Sequence, residues 1–215
     1  MASGLLRAIG GFVAALFLAL GPASANVIGI ESYMGHPDLA YTGDLTIQGT
    51  AGTIQGKVYR APAQQRTDFS VHGIPFGSVV NLANGQAIIW SSAYQSYATT
   101  SLNDVGVRDW VPLLQNHSQV AITASGEPAQ EVNGVMATRY DLSGVSPEGT
   151  PYTGQIWATD EGVIVRLVAR IATVNGPITY NLTNLRVGQQ PPTLFTVPEG
   201  YMERSWSEAA ALLGM

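Results

Sequence analysis

The 215-residue chain contains no cysteine. Disulfides, thiolate-bound zinc, iron–sulfur clusters, cysteine nucleophiles and a lipid anchor on an N-terminal cysteine are therefore excluded. Without disulfides, a small exported domain has to be stabilised by its own hydrophobic core.

Charge is scarce, and positive charge is the scarcer kind. The chain has 10 Lys and Arg against 15 Asp and Glu, and Lys57 is its one lysine. Nucleic-acid binding needs a basic surface that neutralises phosphates, so we expect no nucleic-acid partner. With 12% charged and 46% hydrophobic residues, the composition also excludes a disordered chain and a coiled coil.

The motifs of common catalytic and nucleotide sites are missing. There is no G-x-S-x-G, S-x-x-K, H-E-x-x-H or Walker sequence. The adjacent acids Asp160 and Glu161 fall where a hairpin turn is predicted, which is typical of solvated turn residues rather than of a glycosidase pair. We therefore expect a protein that is not an enzyme and has no catalytic residues.

The histidines also give little support for a metal site. They are scattered along the chain at His36, His72 and His117. A site would form only if the fold gathered them with Asp38 or Asp104, and we expect exposed loop or strand residues instead. No metal and no cofactor is expected.

Long hydrophobic runs are absent except near the N-terminus. There, Arg7 precedes an apolar run from Ala8 to Leu20, which is too short to cross a bilayer. Small residues follow at Ala23-Ser24-Ala25. Residues 1–25 are therefore predicted to be a secretory signal peptide cleaved before Asn26, and an uncleaved anchor is the alternative that the short run disfavours. The mature domain, residues 26–215, is expected in the periplasm without a transmembrane segment.

Alternation of apolar and polar residues is the strongest pattern in the rest of the chain. Between Val163 and Ile171 the odd-numbered residues are apolar, while Arg166 and Arg170 fall on the other face. Nine strands are predicted in all: 45–49, 53–60, 66–71, 86–92, 120–125, 136–142, 153–159, 163–171 and 178–187. Because most are joined by short turns, such as Asn133-Gly134, the fold is predicted to be mainly β and antiparallel.

Two segments break this alternation. In Asp109 to Gln115, the apolar residues Trp110, Leu113 and Leu114 share one face of a predicted helix. Ser205 to Leu213 is a second predicted helix, and Ser205 and Glu208 match a capping box. Both are too short to be stable alone, so we expect them to dock on the sheet, the first as a lid.

Aromatic and apolar residues on these elements suggest a ligand cavity. A strongly curved sheet that is covered by short helices leaves apolar space, which suits acyl chains or other lipophilic ligands. The alternative is that these residues form an ordinary filled core. The predicted cavity lining consists of Phe69, Trp90, Tyr97, Trp110, Leu113, Leu114, Met136, Tyr140 and Trp157.

Five short motifs, taken in order, resemble one protein family. They are GKVYR (56–60), RTDF (66–69), GEPAQEVNGVMATRY (126–140), GQIWATDEG (154–162) and LFTVPEGY (194–201). Over about residues 40–203 the chain resembles the LolA-like, outer-membrane lipoprotein-carrier superfamily, and within it the periplasmic domains of unknown function.

The resemblance implies an open antiparallel half-barrel with short covering helices and a concave apolar face. Members of that superfamily shield the acyl chains of lipoproteins in the periplasm and hold a lid closed through an arginine. The candidates for that arginine here are Arg60, Arg66, Arg108 and Arg139.

Two functions remain open at this stage. One is a periplasmic carrier or binding protein for a lipophilic ligand, such as a lipid or a lipoprotein acyl chain, whose affinity rises with acyl length and depends little on salt. The other is an interaction module with a filled core that docks a periplasmic partner protein.

Overall fold

The computed structural model describes residues 38–49, 52–71, 73–101, 120–145, 151–172 and 174–212. The thirteen strands in these ranges belong to one sheet. The first half of the sheet contains β1 (Tyr41–Gly49), β2 (Gly52–Ala61), β3 (Gln64–Val71), β4 (Ile74–Asn81), β5 (Gln86–Ser91) and β6 (Ser96–Ser101). Each of these strands pairs with the next in antiparallel orientation, so this half is a meander.

The second half is also antiparallel. It contains β7 (Val120–Ala124), β8 (Gln130–Val132), β9 (Val135–Val145), β10 (Pro151–Ala158), β11 (Ile164–Ile171) and β12 (Ile178–Val187), but here both β7 and β8 pair with β9. Strand β12 returns to pair with β1 and joins the two halves. A 3₁₀ helix (Pro192–Phe195), β13 (Met202–Glu203) and the helix α1 (Trp206–Leu212) follow.

The sheet is open. Among the described strands the order is β13-β6-β5-β4-β3-β2-β1-β12-β11-β10-β9-β7, β8 pairs with β9 alone, and β7 pairs with neither β13 nor β6. Of these strand pairs, only β13 with β6 is parallel. The predicted fold class, a mainly β, open antiparallel half-barrel with little helix, is confirmed.

Local sequence explains the tightest turns. Asn133 and Gly134 both have positive φ, 54° and 84°, as a type I′ turn requires. The turn was predicted, whereas the short strand β8 that it joins to β9 was not. The turn 160–162 joins β10 to β11, and its Gly162 has φ 88°.

One face of the sheet carries the core, and we call it the inner face. On β1 it presents Tyr41, Leu45 and Ile47, and the register continues it across the sheet to residues such as Ile156 on β10. Arg166 and Arg170 lie on the opposite, outer face and are exposed, as the alternation predicted. Complete burial of a side chain such as Ile156 contributes about 1.5–3 kcal/mol, so the inner face is the main source of stability.

The hairpin β8–β9 packs against this inner face. Val132 and Ala137 are buried in the core. The Asn133 side-chain amide donates hydrogen bonds to the backbone oxygens of Val165, at 2.8 Å, and Leu182, at 3.2 Å. These carbonyls lie just beyond the last paired residues of β11 and β12, so Asn133 satisfies acceptors that the sheet leaves open.

Candidate functional site

The inner face is not uniformly apolar. Six polar residues on β2, β3, β5 and β6 are buried there, with exposed fractions of 0–7%. All six fall on the inner-face side of the register. We call them the polar arc: Arg60, Gln65, Thr67, Ser91, Ser96 and Thr100.

Arg60 is the charged member of the polar arc and is fully buried. It lies opposite Tyr41 on β1 and opposite Gln65 on β3. Its guanidinium donates to the backbone oxygens of Ala61 and Gln64, at the turn between β2 and β3. A buried charge is tolerated only where hydrogen bonds replace its water, and these carbonyls supply part of that replacement.

Two other polar atoms on the inner face have no hydrogen-bond partner within the described part of the chain. They are the Gln65 side-chain oxygen and the Tyr152 hydroxyl. Burial raises the pKa of Tyr152 to about 12, so the phenol is neutral and can donate a hydrogen bond. Buried polar atoms are normally paired, so these two are suited to contact a ligand or a water molecule.

Helix α1 packs against the β5–β6 end of the sheet. Ser205 and Glu208 form the predicted capping box: the Glu208 backbone N–H donates to Ser205 Oγ at 3.3 Å, and the Ser205 backbone N–H donates to Glu208 at 2.9 Å. Trp206 and Ala209 contact the core from this helix. An apolar slot of about 20 Å³ remains beside it, and it is lined by Ile89, Trp90, Ser91, Tyr94, Ser96, Tyr97 and Ala209.

The outer face of the first half carries a second, smaller apolar cluster. Val79, Trp90 and Phe195 are its buried members. Arg66 fixes the C-terminal segment, residues 192–203, to this outer face. It stacks on Trp90 at 4.9 Å, donates to the Leu194 backbone oxygen at 3.0 Å and pairs with Asp68 at 2.8 Å.

The structure divides the predicted cavity residues between the two faces. Phe69 and Tyr140 lie on the inner face, whereas Trp90, Tyr97 and Trp157 fall on the outer side of the register. Met136 is 59% exposed, in the β8–β9 hairpin. Trp110, Leu113 and Leu114, with the whole predicted lid 109–115, lie outside the described residues.

The candidate lid arginines separate in the same way. Arg60 is on the inner face, while Arg66 and Arg139 are on the outer face, where Arg139 pairs with Glu127 at 2.9 Å. Arg108 lies outside the described residues. Of the three that are described, Arg60 alone faces the concave side.

Neither a metal cluster nor a membrane-spanning helix is found in the described ranges. There, no three residues of the His, Cys, Asp and Glu types are grouped to hold a metal ion. The three histidines and Asp104 lie outside the described residues. No described helix is long and apolar enough to cross a membrane.

The fold has a solved counterpart. It is an uncharacterised conserved protein from Thermus thermophilus, with a TM-score of 0.54 and 12% identity. The likeness covers 85% of this chain and 98% of the Thermus chain. At that identity the likeness shows the fold alone. No protein-family model and no curated protein matches the sequence.

Two weaker likenesses are to named proteins. The MucA/MucB complex of Pseudomonas aeruginosa is similar over 81% of this chain and 61% of that chain, at 9% identity and a TM-score of 0.43. A domain described as an outer-membrane lipoprotein-sorting protein, from Vibrio parahaemolyticus, is similar over 77% and 93%, at 8% identity and a TM-score of 0.40. Neither is close enough to carry a functional conclusion.

The sequence-based interpretation missed the polar arc. A weak signal for it exists in Ser96 to Ser101, where Ser96, Ala98 and Thr100 alternate as small residues on one face. Such a pattern shows little contrast in hydropathy, so it was not recognised as a strand or as part of a buried face.

Proposed function

We propose that this protein is a non-enzymatic periplasmic protein that binds a lipophilic ligand, such as the acyl chains of a lipid or lipoprotein, along its inner face. One observation carries the proposal. An unclosed sheet carries a large apolar area on its inner face, interrupted between β2 and β6 by the polar arc, and the described elements that pack on it are small: the β8–β9 hairpin and α1. An open sheet of this kind can admit a ligand by displacing a small covering element.

Helix α1 is the element that we propose to move. The slot beside it, at about 20 Å³, has room for little more than one water molecule. At this slot an acyl chain can therefore enter only when α1 leaves the sheet. A helix of seven residues is marginal without tertiary contacts, so its departure costs little beyond the packing of Trp206 and Ala209.

Chain length should determine affinity. Each methylene that leaves water contributes about 0.8 kcal/mol, whereas surface charge pairs are screened by salt. The test is a calorimetric titration with fatty acids of about eight to sixteen carbons at low and high salt. We expect affinity to rise with length and to change little with salt, and an affinity independent of length would contradict the proposal.

Two tryptophan variants test the route of entry. Trp206→Ala should speed association of a fluorescent fatty acid, because it weakens the docking of α1. Trp157→Ala is the matched control, since this tryptophan lies on the outer side of the register and stacks with Arg166. Equal association rates for both variants would exclude α1 as the moving element.

The second candidate function is a protein interaction module, and the small size of the slot favours it. Pockets for drug-sized ligands usually measure about 300–1,000 Å³, far more than the space beside α1. If no fatty acid binds at any chain length, while crosslinking in periplasmic extract yields one specific partner protein, the interaction module is the better description.

A further inference from the structure

A polar pocket lies on the outer face, where β1 is flanked by β2 and β12. Its volume is about 190 Å³, and it is lined by Thr42, Gly43, Asp44, Lys57, Asn184 and Arg186. The pocket is separate from the apolar slot beside α1. The side chains of its two cations, of Asp44 and of Asn184 are exposed. Neither the sequence motifs nor the proposed function uses the pocket.

Local backbone irregularity shapes this pocket. The β1–β12 register shifts between Thr42 and Asp44, which marks a bulge. On the facing strand Asn184 has a φ of 52°, in the left-handed region that few residues other than glycine adopt. Its side-chain amide donates to Asp44 Oδ2 at 2.7 Å. Bulges and left-handed residues of this kind recur at binding sites.

Gly43 forms the base of the pocket. A Cβ atom at this position would come within 2.7 Å of the Leu182 side chain on the inner face. The backbone at Gly43 therefore lies directly against the core.

The two cations of the pocket form no salt bridge with a described residue. Asp44 faces Lys57 across the β1–β2 ladder and Asp68 faces it across the β2–β3 ladder. However, the Asp44 carboxylate accepts a hydrogen bond from Asn184, and Asp68 forms an ion pair with Arg66 at 2.8 Å. The Lys57 ammonium lies 5.7 Å from the centre of the Tyr59 ring, and Arg186 forms no salt bridge with a described residue.

We propose that Lys57 and Arg186 form a binding site for a phosphate group, either free or carried by a lipid headgroup or a soluble phosphate ester. The planar guanidinium can hold two phosphate oxygens, and the ammonium supplies a compact second charge. Two cations suit a doubly charged phosphate better than a singly charged carboxylate. The pocket is too small for a drug-sized ligand but accommodates one such group.

The experiment is a calorimetric titration of the mature protein with inorganic phosphate, at about 50 mM ionic strength so that screening is modest. The variant carrying Lys57→Met and Arg186→Met should bind phosphate at least about tenfold more weakly. A matched control carries Arg166→Met and Arg170→Met, which removes the same charge from the outer face of β11, outside the pocket. Equal weakening in both double variants would overturn the site.

Asp44→Asn supplies a test of opposite sign. The new amide can still accept the hydrogen bond from Asn184, but the negative charge beside the phosphate is removed. Phosphate should therefore bind about threefold more tightly. No gain in affinity would contradict the proposed position of the phosphate. Because a damaged fold cannot tighten binding, this result separates the site from a stability effect.

Vesicles distinguish the sources of the phosphate. Phosphatidylcholine vesicles with about 20 mol% phosphatidic acid present a phosphate monoester on a lipid surface. Vesicle binding that free phosphate abolishes would assign the site to a lipid headgroup. Binding of free phosphate without vesicle binding would assign it to a soluble phosphate ester, and binding of neither would overturn the proposal. The fatty-acid titration concerns the other face, so either result can fail alone.

Discussion

The inner face differs between the two halves of the sheet. In the half from β9 to β12 its central residues are apolar, as with Ile156, Tyr180 and Leu182. In the half from β2 to β6 the polar arc occupies much of the same face, and Arg60 is completely buried. Apolar burial is non-directional, whereas each buried polar group needs a partner in the correct geometry. The half from β2 to β6 therefore depends on specific hydrogen bonds to a degree that the half from β9 to β12 does not.

The outer faces show the reverse contrast. Between β2 and β6 the outer face carries the Val79, Trp90 and Phe195 cluster beneath the C-terminal segment, while on β11 it presents exposed arginines. Gly77 illustrates how close this packing is, since a Cβ there would come within 2.1 Å of the Trp90 ring. The half with polar residues on its inner face is thus also stabilised from its outer face.

The largest expected effect is in the apolar half. Ile156→Ala leaves a cavity in a site with no solvent exposure, so the free energy of unfolding should fall by about 2–5 kcal/mol. Urea denaturation measures it. Val168→Ala, on the outer side of the neighbouring strand and only partly buried, is the control and should cost much less. Equal losses would mean that the two faces do not differ in packing.

The next effect tests the polar half. Arg60→Met keeps the length of the side chain but leaves the partly buried oxygens of Ala61 and Gln64 without their donor, so we expect a loss of about 3 kcal/mol. The contrast between the halves would be broken if this variant were as stable as the wild type. In that case the polar arc would be no more specific than an apolar surface.

Sequence alone predicted those parts of the fold in which alternation has high contrast. The strand at Ile178–Val187 is confirmed with its full bounds, and that at Ile164–Ile171 to within one residue. Strands β4, β6, β8 and β13 were missed. Ile74–Asn81 contains Pro75 and Gly77 and is covered on both faces, and Ser96–Ser101 presents only small residues on its inner face, while β8 and β13, of three and two residues, are too short to show alternation. Hydropathy does not distinguish such strands from loops.

The candidate site was harder to predict because it depends on distant contacts. Trp90 and Tyr97 are on the outer side because Phe195, about a hundred residues later in the chain, completes a cluster there. Met136 was predicted to line the cavity, but β9 pairs with β8 at one end and with β7 and β10 further along, and Ala137 is buried in place of Met136. Local periodicity contains neither fact.

A smaller effect concerns the outer face. Arg66→Met removes the stacking on Trp90, the ion pair with Asp68 and the hydrogen bond to Leu194, so stability should fall by about 1–2 kcal/mol. Amide hydrogen exchange should also rise in residues 192–203. Arg166→Met is the control, because Arg166 stacks on Trp157 at the same 4.9 Å but holds no C-terminal segment. If both variants accelerate exchange in 192–203 equally, Arg66 does not fix this segment.

The smallest expected effect is on α1 and depends on pH. Hydrogen bonds from the Ser205 hydroxyl, and next from the Ser205 backbone N–H, lower the pKa of Glu208 from its ordinary 4.5. Because the pKa is lower in the folded state, the capping box contributes its full stabilisation above about pH 4.5 and loses it as the pH falls through the folded pKa.

Carboxyl ¹³C NMR measures the titration of Glu208 directly. In Ser205→Ala the pKa of Glu208 should move back towards 4.5, whereas Ser207→Ala, which leaves the capping box intact, should change it less. Fluorine NMR of 5-fluorotryptophan at position 206 should then report undocking of α1 at a higher pH in Ser205→Ala than in the wild type. An identical Glu208 titration in both serine variants would show that the capping box does not hold α1 on the sheet.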